Sequence, residues 1–111
     1  MTIVDFTVLI TFDLSFADSS DYRAVNSFLS DQGFEKLSHK GNKLPSNTYL
    51  GSKSEVVGRY ETELDIATKL KKQIYSSIKN SMKGSGLTSV VFVMVTPAHS
   101  TSYSCSKPID A

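Results

Sequence analysis

Few residues in this 111-residue chain could do acid–base, nucleophilic or metal chemistry. Cys105 is the one cysteine, which excludes an intramolecular disulfide and a cysteine-based zinc site. It stands among serines, and no nucleophilic role is expected of it. His39 and His99 sit in polar segments with no carboxylate or cysteine at ligand spacing, so both read as solvated side chains. Metal chemistry would therefore rest mainly on carboxylates. Asp13 is the best placed of these, because it closes the apolar stretch Phe6–Phe12 and opens a polar one. An aspartate at such a boundary more often shapes a turn than holds a metal, and a single carboxylate defines no motif.

Composition narrows the classes of function. The chain is 40% hydrophobic and 21% charged, ordinary for one globular domain of common size. Twelve basic and eleven acidic side chains give a net charge of +1, without the cationic excess that marks non-specific binding to a phosphate backbone. The N-terminal stretch lacks a basic leading segment, and Asp5 interrupts its apolar run, so no secretory signal is expected. The longest apolar run, Val90–Val95, is far too short to span a membrane. A cytoplasmic location is the default expectation.

Two helices and four strands are expected to position these residues. Phe6–Phe12 is rich in Thr, Val, Ile and Phe and suits a central strand. Ser19, Ser20 and Asp21 offer N-caps for a first helix, whose apolar stripe is Tyr22, Val25, Phe28 and Leu29 and whose stop is Gly33. Residues 34–40 are expected to form a second strand, Gly41-Asn42 a turn, and Ser46–Gly51 a third strand. Residues 52–60 could finish that strand, form a loop or start the next helix. Thr62 and Asp65 match a capping box, and Ala67, Leu70, Ile74, Ile78 and Met82 hold one face of a second helix that ends at Gly84 and Gly86. The lysines of this helix follow Glu61, Glu63 and Asp65, the order the helix dipole favours by itself. Thr88–Thr96 is the last strand, and its doubly apolar run suits a central position.

That order predicts an α+β fold of the ferredoxin-like βαββαβ kind, a four-stranded antiparallel sheet with two helices on one face. Residues 1–96 are expected to form the single domain. The serine-rich segment 97–111 is expected to be a polar tail or a dimer arm.

Three stretches resemble a known family. Phe12-Asp13-Leu14-Ser15, then a helix closing in Gln32-Gly33-Phe34, then Ser46-Asn47-Thr48-Tyr49-Leu50-Gly51, are similar to the CRISPR-associated protein 2 superfamily. That superfamily includes the endoribonuclease antitoxins of type V toxin–antitoxin systems and the virulence-associated D proteins. The likeness covers roughly the first half of the chain and rests on short motifs. It implies a ferredoxin-like homodimer, and in many members cleavage of RNA or DNA. It also implies that Asp13, facing its copy across a two-fold axis, helps hold Mg²⁺ or Mn²⁺. Ser15 and Ser46 would then hydrogen-bond phosphate, and Arg23 or Lys43 would offset its charge.

Two functions follow as expectations. One is a metal-dependent endoribonuclease acting as a homodimer on RNA. The other is a non-catalytic protein- or nucleic-acid-binding module, such as an inhibitor, adaptor or mobile-element accessory protein. It would engage its partner through the exposed sheet face, an edge strand or the C-terminal tail.

Overall fold

A computed structural model describes residues 2–15, 17–84, 86 and 88–106. Strand β1 (Thr2–Ser15) leads into helix α1 (Ser19–Asp31). Strand β2 (Thr48–Val57), helix α2 (Glu63–Gly84) and strand β3 (Thr88–Pro97) follow, closed by a 3₁₀ turn at Ala98–Ser100. The three strands form one antiparallel sheet in the order β2–β1–β3.

The period of two along β1 divides the sheet into a covered and an open face. Val4, Phe6, Val8, Ile10 and Phe12 are all buried. They pack against Val25 and Leu29 of α1 and against Ile66, Ala67, Leu70, Ile78 and Met82 of α2. Both helices therefore cover the same face, and the expected stripe of α2 is the one that packs.

Local chemistry fixes the helix ends. The N-cap of α1 is Asp18, one residue before the expected candidates. Its Oδ1 accepts from the N–H groups of Ser20 and Asp21 at 2.9 and 3.0 Å. Gly33 follows the α1 C-cap Gln32 with φ +90°, a conformation glycine reaches without strain. At α2 the Thr62 hydroxyl accepts from the Asp65 N–H at 3.0 Å, while Asp65 Oδ2 accepts from the Thr62 N–H at 2.8 Å. That reciprocal pair is the expected capping box.

Two expectations about the sheet are overturned. Among the described residues it has three strands, not four. Residues 34–40 make only isolated bridges, Glu35 with Leu50 and Leu37 with Lys43. Their apolar residues Phe34 and Leu37 lie three apart, which a pleat of period two cannot place on one face. Phe34 is buried while Leu37 is 45% exposed. The chain then turns back on itself through a Ser38 N–H bond to the Asn42 carbonyl and Gly41 at φ +82°. The second correction concerns 88–96, which forms an edge strand and not a central one. Residues 52–60 resolve as the end of β2, a turn, and the lead-in to α2.

The segment expected as a tail lies back across the domain as far as Ser106, and residues 107–111 lie outside the described residues. The Thr101 and Thr96 hydroxyls are hydrogen-bonded. Thr96 pairs with Thr7 on the open face, so residue 101 starts on that face. The segment reaches the 38–43 loop beyond β2. There the Tyr103 hydroxyl accepts from the His39 N–H at 2.8 Å, the two rings meet edge to face, and the Cys105 thiol donates to the Lys43 carbonyl at 3.6 Å. Thr7 and Leu50 are the buried residues of the open face: Thr7 pairs with Thr96, to which Thr101 bonds in this strap, and Leu50 pairs on its outer side with Glu35.

Candidate functional site

The open face is built by residues that share the register of Ile3, Asp5, Thr7, Leu9, Thr11 and Asp13. Their partners on β2 are Val56, Ser54, Ser52, Leu50 and Thr48; on β3 they are Thr96, Met94, Phe92 and Val90. Away from the strap its apolar side chains are solvent-facing. Ile3 is 72% exposed, Val56 49%, Val90 72%, Phe92 52% and Met94 42%. They form two groups, Ile3 with Val56 at one end of the face and Val90, Phe92 and Met94 along β3 toward the other, with Asp5, Thr7 and the strap between them. Grouped exposed apolar residues mark an association surface more than single ones do. No Lys or Arg belongs to this register, and its two charged members are Asp5 and Asp13. The surface mixes apolar side chains with serine and threonine hydroxyls and carries a slight negative charge.

The sequence-predicted site residues divide between regions. Asp13 is exposed at the far end of β1 on the open face, paired with Val90, and Ser15 shares its face two residues on. Ser46 lies at the same end of the sheet, since the next residue, Asn47, accepts the Phe12 N–H through its carbonyl at 3.3 Å. Arg23 sits on α1 over the covered face, beside a shallow depression with Lys36 and Tyr49. Lys43 belongs to the loop outside β2, beneath the strap. Asp13, Ser15 and Ser46 are thus neighbours in the fold, whereas Arg23 and Lys43 are elsewhere.

Among the described residues, no group of three or more His, Cys, Asp or Glu side chains is gathered to hold a metal. Asp13 within one chain is a single exposed carboxylate, which does not make a cation site; further ligands would have to come from a second copy or a substrate.

Other features carried no local signal. His99, expected to be solvated, has Nε2 2.9 Å from both carboxylate oxygens of Glu63, 36 residues away in sequence. Lys53 and Glu55 floor a cleft of about 300 Å³ between the helices, walled by Phe34, Leu70 and Ile74. That volume is at the lower limit for small-molecule pockets. The sequence leaves residues 52–60 open, because charged residues on the helix-covered side give no apolar pattern to read.

Among the described residues, no helix is long and apolar enough to cross a membrane. Comparison with protein-family models, with characterised proteins and with solved structures gives no match to this chain.

Proposed function

We propose that the chain is a non-catalytic, cytoplasmic binding module that holds a protein partner on the open face of its sheet, in the manner of an inhibitor, adaptor or mobile-element accessory protein. The observation that carries this reading is that, among the described strand residues of that face, five apolar side chains are exposed and none is cationic. A surface that binds nucleic acid needs Lys or Arg to neutralise phosphates, and base stacking alone seldom suffices. This face offers Phe92 for stacking but opposes phosphate with Asp5 and Asp13. An apolar protein surface is the better match. The frame fits a ferredoxin-like fold whose second strand is reduced to the Glu35–Leu50 bridge on the outer side of β2.

The test is partner capture by the native chain beside an Ile3→Lys, Val56→Lys double variant, with RNA binding measured in parallel. A protein partner held by the native chain and lost by the variant is the expected result. Salt-sensitive RNA binding by the native chain, with no partner affected by the variant, would overturn it.

A second reading rests on Asp13. Its exposure on the open face, with Ser15 and Ser46 at the same end of the sheet, leaves it able to meet a second Asp13 if two open faces pack together. Combined with the resemblance to the CRISPR-associated protein 2 superfamily, this supports a homodimeric endoribonuclease using Mg²⁺ or Mn²⁺. RNA cleavage that needs the metal, stops with EDTA and is lost in Asp13→Asn would establish it. No cleavage under those conditions would remove it.

A further inference from the structure

β3 has the composition of a central strand but the position of an edge. Its outer backbone groups have no strand beside them among the described residues. Natural edge strands are usually blunted by charge, proline, a bulge or shortness. β3 itself has none of these before its last residue. Among the described residues, the one charge that reaches it is the Lys79 ammonium of α2, which donates to the Ser89 carbonyl and hydroxyl at 3.1 and 3.0 Å. That contact is near the start of the strand and leaves the stretch from Val90 to Thr96 without one. β3 runs ten residues, pairs with β1 without a break in register, contains no charged side chain, and reaches its first proline at Pro97. On the helix-covered side, Val91, Val93 and Val95 remain half-buried although they pack against the core. Such an edge is either an aggregation site or half of an interface.

The sequence of the strand points to its own copy as the missing neighbour. Residues 88–96 read Thr-Ser-Val-Val-Phe-Val-Met-Val-Thr, nearly the same in both directions about Phe92. In an antiparallel pair about a two-fold axis at Phe92, Thr88 opposes Thr96, Val90 opposes Met94, Val91 opposes Val93, and Phe92 meets itself. Only Ser89 against Val95 is unmatched in kind. Apolar residues then oppose apolar ones, threonines close both ends, and no like charges meet, as favourable cross-strand pairing requires.

We propose that two copies of this chain join through β3, edge to edge, into one six-stranded antiparallel sheet. The arrangement closes on itself. The opposite edge, β2, is partly covered by the Glu35–Leu50 bridge and carries Lys53 and Glu55, so it does not invite further strands. Val90, Phe92 and Met94 of both copies form one apolar band at the centre of the joined open face. The two Asp13 carboxylates lie roughly 20 Å apart in this dimer, by strand spacing and rise. It therefore excludes the shared-metal arrangement of the endoribonuclease reading. Edge pairing does not depend on the face-binding function, and the two fail separately, because one is read in subunit number and the other in partner capture.

The test is light scattering of the full chain over a wide concentration range, with amide hydrogen exchange on the same samples. A Phe92→Cys, Cys105→Ser variant is then oxidised beside a Val56→Cys, Cys105→Ser control. The expected results are a mass twice the 12.2 kDa of one chain and protection of alternate β3 amides that weakens on dilution. The Phe92→Cys variant should also cross-link to its copy while the Val56→Cys control does not. A single-chain mass at every concentration would overturn the proposal. So would a dimer whose β3 amides exchange as freely as in the monomer, a readout on the native chain that holds even if the cysteine variants fail to fold.

Discussion

Gly51 lies directly beneath the ring of Phe34: a Cβ placed on Gly51 would come 2.4 Å from Phe34 Cδ1 and 2.8 Å from Cε1. Gly51 faces the helices, opposite Val8, and Phe34 is 4% exposed, so relieving the clash would push the ring toward the cleft it walls and disturb its packing. The closeness lets the irregular 34–44 segment seal the core in place of a full strand. Gly51→Ala should destabilise the fold by about 1–3 kcal/mol, the usual effect of overpacking. Chemical denaturation checks this. In a Phe34→Ala background the same substitution should add little, because the clashing partner is gone.

The α2 capping box makes a second prediction. Thr62→Ala removes the acceptor of the Asp65 N–H while leaving the Asp65 carboxylate bonded to the backbone of residue 62. A loss of about 0.5–2 kcal/mol is expected. Thr62→Ser should recover most of it, as thermal unfolding of both variants would show.

Acid should weaken the fold through three carboxylates. Asp18 is held below its ordinary value of 3.8 by the backbone N–H of Asp21 and by Ser20. Asp65 is lowered from 3.8 by its bonds to Thr62. Glu61 is lowered from 4.5 by its bond to Lys69, at 2.9 Å, and to the Gly58 N–H. Each binds a proton less readily folded than unfolded, so each stabilises the fold above its ordinary value. That stabilisation is lost as the pH falls through the depressed folded values. Denaturant midpoints measured from pH 6 down to pH 2 should fall continuously. Lys69 is shifted the other way, raised above 10.5 chiefly by Glu61, so its contribution disappears only in strong alkali. The fall should be shallower in Glu61→Gln.

The strap supplies a chemical readout. Tyr103 joins the C-terminal segment to His39, and Cys105 follows two residues later, half-buried. Tyr103→Ala should loosen the segment and raise the rate at which Cys105 reacts with a thiol reagent several-fold. Tyr103→Phe, which keeps the ring contact and loses the hydroxyl acceptor, should fall between. Equal rates in all three proteins would show that Tyr103 does not hold the strap.

What could be read from the sequence was what short-range chemistry decides. Thr62 with Asp65, the glycine after α1, and the stripe from Ala67 to Met82 all act within one or two helical turns, and each is found as expected. Strand 88–96 was legible as a strand, but its place in the sheet was not. Apolar residues on both faces imply cover on both sides, and a single chain does not say where that cover comes from. Residues 52–57 were obscure because β2 is polar on both faces there, with Ser52 and Ser54 outward and Lys53 and Glu55 over the cleft. Asp13 was found on the open face at the sheet end, but its separation from Arg23 and Lys43 depends on layers that no local pattern encodes. The contact between His99 and Glu63 spans 36 residues and had no sequence signal at all.

The first of the three strands in chain order is also the middle of the sheet. β1 pairs with β2 along one side and with β3, the last strand, along the other. A nascent chain therefore carries Val8, Ile10 and Phe12 with one flank bare until residue 97 has been synthesised and released. Messages cut short upstream of that point would yield a product that sticks to its neighbours instead of a smaller working domain.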